Sequence, residues 1–359
     1  MNRHCIIPIF IPHFGCPHDC VFCNQKKITN LSTNVTQNDI EEIIEEYLGY
    51  FKANRFVEVA FYGGSFTALD IETQSNLLKV PLRYKKEGII DEIRLSTRPD
   101  AINDTILTNL KEHSVDTIEL GVQSLDEDVL KASERGHDAN VVYYASQLIK
   151  DYGFKLGLQM MVGLPFDNFE KSLYTCNEII KLKPDCVRIY PTLVIKNTYL
   201  EKLYHNHIYT PLDISDAINQ ISIYLMLFYL NDINVIRVGL QPTENIQLGK
   251  DVVAGPFHPA FRQLVEANIF KVLIDFYLID KSIDFNGLDL IIQANSHMIS
   301  AISGQKSSNK VYWKNRYKFS SIKIYNTNMD KQSMSINIGD FHDIINIRSL
   351  IKDYLNSIW

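Results

Sequence analysis

The feature that most constrains the fold is a regular alternation of short β-rich runs and longer amphipathic stretches over the first 240 of 359 residues. The stretch 39–51, for example, has apolar residues at 40, 43, 44, 47, 48 and 51, which is the spacing of one helix face. Repeated strand–helix units predict a parallel sheet with right-handed crossovers. Strands are expected at 6–11, 56–62, 89–96, 117–121, 155–162, 185–191 and 234–238, with helices at 39–51, 70–86, 103–111, 126–134, 140–152, 168–182 and 213–230.

This number of units predicts an α/β fold, a partial (β/α)6-type barrel followed by a smaller C-terminal α+β extension. The alternation of strands and helices ends after Gly239, where a polar loop that contains glycine and proline leads to an apolar helix near 259–276. We therefore expect two domains, a core barrel over 1–240 and a C-terminal extension over 241–359 that acts as a lid or substrate region.

The charge and the apolar runs exclude some classes of protein. The net charge of −6 does not suit a chain that coats phosphate backbones, so any nucleic-acid contact should be local. No apolar stretch reaches the ~18 residues of a membrane span, and no membrane partner is expected. Six cysteines, three of them within eight residues, favour a metal site in a reduced, cytoplasmic protein over a disulfide framework.

Polar or glycine-rich residues follow the predicted strands. The motifs HFGCPHDCVFC, YGGSF, STRPD, LGVQS, MVGLP and YPT come directly after the first six strands. In parallel α/β folds the carboxyl ends of the strands carry the active site. The sequence therefore predicts that these motifs meet at one edge of the sheet.

The spacing C-x3-C-x2-C at Cys16, Cys20 and Cys23 supplies three thiolates from one short loop. Thiolates are the usual ligands of iron–sulfur clusters, and three ligands leave one iron of a [4Fe–4S] cubane open to a substrate or cofactor. The alternative is a structural zinc ion with His13 or His18 as its fourth ligand, since such sites close with four protein ligands. The spacing favours the cluster and leaves zinc open.

Other strand-end residues are weaker candidates. Gly63 and Gly64 would let a ligand approach the backbone, although many tight β–α turns need glycine for other reasons. Arg98 could pair with a carboxylate and Gln123 could hydrogen-bond a ribose or an amino-acid group. A surface salt bridge and a core amide are equally compatible with these two residues. Tyr190 and His137 fit strand-end packing and a helix-end surface better than catalysis, and no catalytic residue is assigned.

Taken together, these segments resemble the radical S-adenosylmethionine (SAM) family. CPHDCVFC matches its cysteine signature, with Phe22 before the last cysteine. FYGGSF, STRPD, IELGVQSLDEDVLKASERGH, MMVGLP and KPDCVRIYPTLVIKNTYL are similar to the radical domain of the catalytic subunit of Elongator, a tRNA wobble-uridine modifier. The resemblance covers about residues 6–240.

The resemblance implies a role for each strand end. Cys16, Cys20 and Cys23 would ligate three irons of a [4Fe–4S] cluster, and SAM would bind the fourth and be cleaved to a 5′-deoxyadenosyl radical. The remaining cofactor-binding positions would be Gly63, Gly64 and Ser65 at the methionine amino group, Arg98 and Gln123 flanking the cofactor, and Val162 and Gly163 facing adenine. An electron donor such as flavodoxin or ferredoxin would be needed.

The resemblance leaves the substrate open. The last 120 residues show no recognisable acetyl-CoA loop, so the acetyl transfer of Elongator cannot be carried over whole. RNA is the first expectation for the substrate, with tRNA as the candidate that the resemblance suggests. A coproporphyrinogen oxidase-like reaction on a small molecule is the second, weakened by Ser65 where those enzymes usually have a third glycine. A zinc-stabilised binding module without catalysis is the third.

Two C-terminal segments are also candidates for substrate contact. The loop 239–262 offers Gln241, His258 and Arg262, and it is equally compatible with an inter-domain linker. The segment 305–318 is basic and contains aromatic residues, which suits RNA through phosphate contacts and base stacking. The alternative is an ordinary charged surface that faces solvent and binds nothing. Its cations are Lys306, Lys310, Lys314, Arg316 and Lys318, and its aromatic residues are Tyr312, Trp313 and Tyr317.

Overall fold

The computed structural model describes residues 3–11, 20–23, 35–52, 55–241, 246–281 and 283–359. The chain forms two compact units. The first comprises Met1–Asp213 and Ile233–Phe257, and the second comprises Ile214–Asp232 and His258–Trp359. The helix expected at 213–230 thus groups with the second unit, and the domain boundary at residue 240 stays a prediction.

The first unit is built on seven parallel strands. Their order in the sheet is β1-β2-β3-β4-β5-β6-β8, so each strand through β6 pairs with its neighbour in sequence. This confirms the predicted partial α/β barrel with its C-terminal extension. The strands are β1 (Arg3–Ile11), β2 (Arg55–Gly63), β3 (Glu92–Thr97), β4 (Thr117–Gln123), β5 (Lys155–Val162), β6 (Cys186–Pro191) and β8 (Asn234–Val238); β7 (Val194–Ile195) and β9 (Val252–Ala254) form a separate antiparallel pair.

Helices connect the strands, and most begin at a side chain that accepts an otherwise unpaired backbone N–H. At the first helix this is Thr36, which forms a capping box with Asp39. The helices of this unit are α1 (Gln37–Tyr50), α2 (Ile71–Lys86), α3 (Asp104–Glu112), α4 (Glu127–Ala132), α5 (Ala139–Asp151), α6 (Phe169–Leu182) and α7 (Tyr199–His205). Single-turn 3₁₀ helices follow β2 and β3 at Phe66–Ala68 and Pro99–Ala101.

Residues of alternating position on the strands separate into an apolar set and a polar set. Ile7, Ile9 and Ile11 of β1 are fully buried, whereas His4 and Phe10, which alternate with this set along the strand, are exposed. The same alternation places Glu58 on β2 and Glu119 on β4 in a polar layer. This polar layer sets the electrostatics of the sheet.

The polar layer is a buried network of alternating charges. Arg94 Nε donates to Glu58 Oε1 over 2.7 Å, and its Nη1 lies 2.5 Å from Glu119 Oε1. Arg188 Nε donates to the other Glu119 oxygen, and Arg188 Nη2 donates to the Tyr62 hydroxyl over 2.9 Å. Burial acts to raise the pKa of Glu119, but the Arg188 and Arg94 guanidinium groups outweigh it and hold that pKa below its ordinary value. Burial raises the pKa of Tyr62 to about 12.

The second unit is α+β, as predicted. Its four-stranded sheet has the order β11-β10-β12-β13, in which only the β10–β11 pair is parallel. Its elements are α8 (Ile214–Leu230), α9 (Phe261–Ile279), β10 (Asp289–Ala294), α10 (Ser296–Ser303), a 3₁₀ turn (Gln305–Ser307), α11 (Ser308–Tyr317), β11 (Ser321–Asn326), β12 (Ser333–Ile338), β13 (Phe341–Asn346) and α12 (Ile347–Ile358). Within the described ranges, no helix combines the length and apolarity needed to cross a bilayer.

We expect Glu119→Gln to lower the free energy of unfolding by about 3–5 kcal/mol at neutral pH, because two buried guanidinium groups lose their shared counter-charge. The folded-state pKa of Glu119 is lowered, so its carboxylate stabilises the fold above the unfolded-state pKa. That contribution disappears as the pH falls through the folded-state pKa. The difference between variant and wild type in urea unfolding should therefore shrink in acid.

The matched control is Lys155→Ala, which removes a half-exposed ion pair with Glu92 on the same sheet. We expect this variant to lose less than about 1 kcal/mol. Equal losses in the two variants would contradict the assignment of Glu119 to a buried network.

Candidate functional site

The predicted site residues lie along one edge of the parallel sheet. Gly63 ends β2, Gln123 ends β4 and Val162 ends β5. Gly63 pairs in register with Ile11, the last residue of β1, and the Gly64 amide donates to the Ile11 carbonyl over 3.1 Å. Parallel pairing therefore brings the strand-end motifs together, as predicted for a barrel active site.

The cysteine loop is anchored beside this edge. Cys20 is 6% exposed, and the Cys23 amide donates to the Cys20 carbonyl over 2.9 Å. The Val21 amide donates to the Ser133 carbonyl at the end of α4, and the Val21 carbonyl accepts from the Leu200 amide at the start of α7. Cys16, the third predicted ligand, lies outside the described residues, as do His13 and His18. Within the residues that are described, no group of three His, Cys, Asp or Glu side chains could hold a metal ion.

Two buried arginines surround the Cys20 thiol. Arg135 Nη1 lies 3.3 Å from Cys20 Sγ, and Arg98 Nη1 lies 3.9 Å from the same atom. A guanidinium donor stabilises the thiolate form that binds metals. The sequence interpretation missed Arg135; its position in the RGH motif directly after α4 was the available signal.

The two arginines differ in how their charge is balanced. Arg98 donates from Nε and Nη2 to the two oxygens of Asp100, each over 2.9 Å, and from Nη2 to the Arg135 carbonyl. Burial acts to raise the pKa of Asp100, but the hydrogen bonds and charge of Arg98 outweigh it and lower that pKa. Arg135 donates to the Gly121 carbonyl, and in the described part of the chain it has no carboxylate partner. Its buried Nε has no hydrogen-bond acceptor there either.

Gly121 allows Arg135 to approach the sheet. A Cβ atom at this position would lie 2.9 Å from Arg135 Nη2 and 2.9 Å from Gln123 Nε2. Gln123 itself has a left-handed backbone, with φ of 69°, and accepts from Gln159 Nε2 over 3.2 Å. The predicted Gln123 is thus buried at the same strand end as Arg135, and its contact with a cofactor stays a prediction.

Ser65 is held in a buried chain of hydroxyl groups. Its Oγ lies 2.9 Å from Thr97 Oγ1, which in turn lies 2.5 Å from Thr67 Oγ1. The Arg98 amide donates to Ser65 Oγ over 3.1 Å. This chain ties the turn after β2 to the turn after β3, and so it positions the Gly63-Gly64-Ser65 backbone relative to Arg98. The predicted contact of that backbone with a methionine amino group is not tested by these bonds.

The turn after β5 is closed by its own hydrogen bonds. Gly163 has φ of 81°, its amide donates to Asp167 Oδ2 over 2.7 Å, and its carbonyl accepts from the Tyr209 hydroxyl. Burial raises the pKa of Asp167 above its ordinary value. Val162 is fully buried beneath this turn. The predicted contact of Val162 and Gly163 with adenine stays a prediction.

The lesser candidates have local partners. His137 lines a cavity of about 610 Å³ with Asp100 and Arg135, and burial followed by the charge of Arg135 lowers its pKa to about 4. Gln241 accepts from Arg237 over 2.6 Å. His258 and Arg262 belong to the second unit, where His258 accepts from the Ala260 amide and Arg262 donates to Glu266; Tyr190 lies near the end of β6, partly buried.

Comparison with known families identifies the superfamily of this chain. A model of the radical SAM superfamily matches residues 10–177, and a model of the radical SAM C-terminal domain matches residues 184–271. The chain belongs to the radical SAM superfamily. It is therefore a radical SAM enzyme, as the cysteine spacing and strand-end motifs predicted.

Curated relatives point to the Elongator-like branch. The tRNA uridine(34) acetyltransferase of Dehalococcoides mccartyi is 31% identical over 175 residues, which cover 43% of this chain and 38% of that protein. Elongator complex protein 3 of Homo sapiens is 30% identical over 188 residues, which cover 51% of this chain and 32% of that protein. The match thus spans about a third of the length of these relatives.

A solved structure has the same fold. The archaeal Elp3 of Methanocaldococcus infernus, with residues 1–46 deleted, superposes with a TM-score of 0.61 at 19% identity. The superposition covers 97% of this chain and 76% of that chain. The recognised Elongator-like radical SAM fold is therefore confirmed.

We expect Thr97→Val to lower the free energy of unfolding by about 1–3 kcal/mol, because it leaves the buried Ser65 and Thr67 hydroxyls without their shared partner. Urea unfolding measures this loss. Thr105→Val, at an exposed position in α3, is the matched control and should leave the stability unchanged. If Thr97→Val left the free energy of unfolding unchanged, the hydroxyl chain would not be what holds the two turns together.

Proposed function

We propose that this radical SAM enzyme holds a [4Fe–4S] cluster on Cys16, Cys20 and Cys23, cleaves SAM reductively and acts on RNA. The observation that carries the cluster is the buried Cys20 thiol within reach of two guanidinium groups at the carboxyl edge of the sheet. When bound, such a cluster supplies the electron that cleaves SAM to a 5′-deoxyadenosyl radical. A reductant such as flavodoxin or ferredoxin would provide that electron.

The charge balance of the site fits an anionic group. Arg135 is 6% exposed, and among the described residues no carboxylate neutralises it. Burying a charge without a partner costs several kcal/mol of folding free energy, and a negative group close to Arg135 would offset that cost. Cluster thiolates are such a charge, and Cys20 Sγ already lies 3.3 Å from Arg135 Nη1. Membership of the radical SAM superfamily favours this cluster over the structural zinc ion that the spacing left open.

The other strand ends would surround SAM. Gly63, Gly64 and Ser65 would present backbone groups to its methionine end, because the turn is held by the Ser65–Thr97 hydrogen bond. The remaining proposed cofactor contacts lie at the ends of β3, β4 and β5 or directly after them, and they are Arg98, Gln123, Val162 and Gly163. What these residues contribute is orientation and exclusion of water around a reactive species.

RNA is the proposed substrate class because the matched relatives are named for tRNA modification. Their acetyl transfer is not part of the proposal, since this chain matches about a third of their length. The radical step is carried over because the model of the radical SAM superfamily matches residues 10–177, and the RNA class is carried over from the names of the relatives.

We expect Cys20→Ala to abolish both the visible absorbance of the anaerobically reconstituted cluster and the formation of 5′-deoxyadenosine from SAM. A [4Fe–4S] cubane with one open iron needs three cysteine ligands, and the variant has only two. Cys5→Ala is the matched control, because Cys5 lies on β1 outside the motif. Wild-type protein that stays colourless and binds one zinc ion tightly would contradict the proposal.

We expect Arg135→Gln to speed the bleaching of the reconstituted cluster by a chelator about tenfold or more, because the variant loses a charged donor to the Cys20 ligand. The cluster-free variant should unfold no more easily than the cluster-free wild type, since a buried cation without a carboxylate partner has been removed.

Lys131→Gln, an exposed position on α4, is the control for Arg135→Gln and should leave bleaching unchanged. If Arg135→Gln destabilised the cluster-free protein and left cluster retention intact, Arg135 would have a purely structural role.

A further inference from the structure

The basic segment of the second unit is a helix with its flanking turns. We define the basic face as Lys306, Lys310, Lys314, Arg316 and Lys318. Lys306 lies in the 3₁₀ turn before α11, Lys318 follows the last residue of α11, and all but the half-buried Lys310 are exposed. No acidic residue occurs between 305 and 318, although the whole chain carries a net charge of −6. The basic face is thus a local concentration of positive charge on an acidic protein.

The aromatic residues of this segment anchor the helix. Trp313 is fully buried, and the Tyr312 and Tyr317 hydroxyls both donate to the Asp275 carboxylate of α9, over 2.6 and 3.1 Å. Asn309 Nδ2 donates to the Ala267 carbonyl over 2.8 Å. These contacts give the aromatic residues a different use from the base-stacking platforms that the sequence suggested.

The cations of the basic face make no ion pair with a carboxylate of the described residues. Within the described ranges, no carboxylate forms an ion pair with any of the five. Lys310 and Lys314 are four residues apart and so share one face of α11. Arg316 packs over the Tyr312 and Tyr317 rings at 5.9 and 5.5 Å from their centroids, which holds its guanidinium group in place. Asp275 acts on Arg316 through its charge without forming an ion pair, and the anchored helix therefore presents a local excess of positive charge.

We propose that the basic face binds the phosphate backbone of RNA. The inference rests on the proposed function, because it supplies a contact surface for the RNA substrate class. Lysine and arginine contacts to phosphate release counterions and give affinity without reading the bases. Since Trp313 is buried and Arg316 packs over the Tyr312 and Tyr317 rings, we expect phosphate contacts to dominate and binding through this face to depend weakly on sequence.

The test is equilibrium binding of transcribed tRNA to the full chain over a range of salt concentrations. The variant is Lys306→Ala, Lys310→Ala and Lys314→Ala combined. Each phosphate contact contributes about 0.7–0.9 to the slope of log affinity against log salt, so we expect the triple variant to flatten that slope by about 2. Its affinity should fall about tenfold or more at low salt.

The matched control removes three exposed lysines of the same unit, by Lys323→Ala, Lys331→Ala and Lys352→Ala combined. It changes the net charge by the same amount but leaves the basic face intact, so its slope should stay close to that of the wild type. Circular dichroism and urea unfolding of both triple variants check that each is folded. An equal loss in the two variants, or an unchanged slope in the first, would overturn the proposal.

A parallel measurement separates this inference from the proposed function. Formation of 5′-deoxyadenosine without RNA should be equal in the first triple variant and the wild type, because the basic face takes no part in cleaving SAM. Wild type that cleaves SAM but binds no tRNA would overturn the RNA substrate class together with the basic face. Loss of binding to phosphatidylserine vesicles with retained tRNA binding would assign the face to membranes and overturn the proposal.

Discussion

Parallel hydrogen bonding of seven strands is the constraint on which the candidate site depends. Because all seven run in one direction, their carboxyl ends lie on one edge, from Ile11 at the end of β1 to Val238 at the end of β8. Segments far apart in the sequence therefore share this edge. The Gly64 amide donates to the carbonyl at the end of β1, and the Arg98 amide donates to the Ser65 hydroxyl. An antiparallel sheet would have distributed the same motifs over two edges.

Charge is balanced differently at the two levels of this sheet. In the polar layer, Arg94 and Arg188 share Glu58 and Glu119, so buried charges of both signs compensate one another. At the strand ends, Arg98 is neutralised by Asp100, whereas Arg135 faces a thiol. The first arrangement stabilises a fold, and the second is suited to binding an anion. The difference shows why two buried arginines of one chain can have distinct roles.

The second unit uses the same residue types for another purpose. Trp313 and the two tyrosines bonded to Asp275 fix α11 against its own unit, and the lysines beside them form no ion pair with a carboxylate in the described part of the chain. A pattern of alternating basic and aromatic residues therefore has two possible meanings, which only burial distinguishes. Here the aromatic side chains supply rigidity and the basic side chains supply charge.

Local sequence patterns were sufficient to predict most of the strands and helices of the first unit. All seven strands of the large sheet and most of the helices between them were predicted, because period-two and period-3.6 patterns are written in contiguous residues. The short helix α7 was not predicted. The third strand was predicted to begin at 89, but Ile89 and Ile90 close the turn after α2 through bonds to the Tyr84 carbonyl. Two adjacent apolar residues give the same sequence pattern in a buried turn as in a strand, so the pattern does not distinguish the two.

The sequence by itself determined the parallel α/β class, the cysteine spacing and the edge at which chemistry should occur. Only the tertiary structure decided that Arg135 lies 3.3 Å from Cys20, 115 positions away, because Gly121 leaves room for it. It also decided that Ser65, Thr67 and Thr97 share one hydroxyl chain. The physical reason is range: hydrophobic period and capping act between near neighbours, whereas charge balance and close approach depend on which distant strand ends the fold brings into contact.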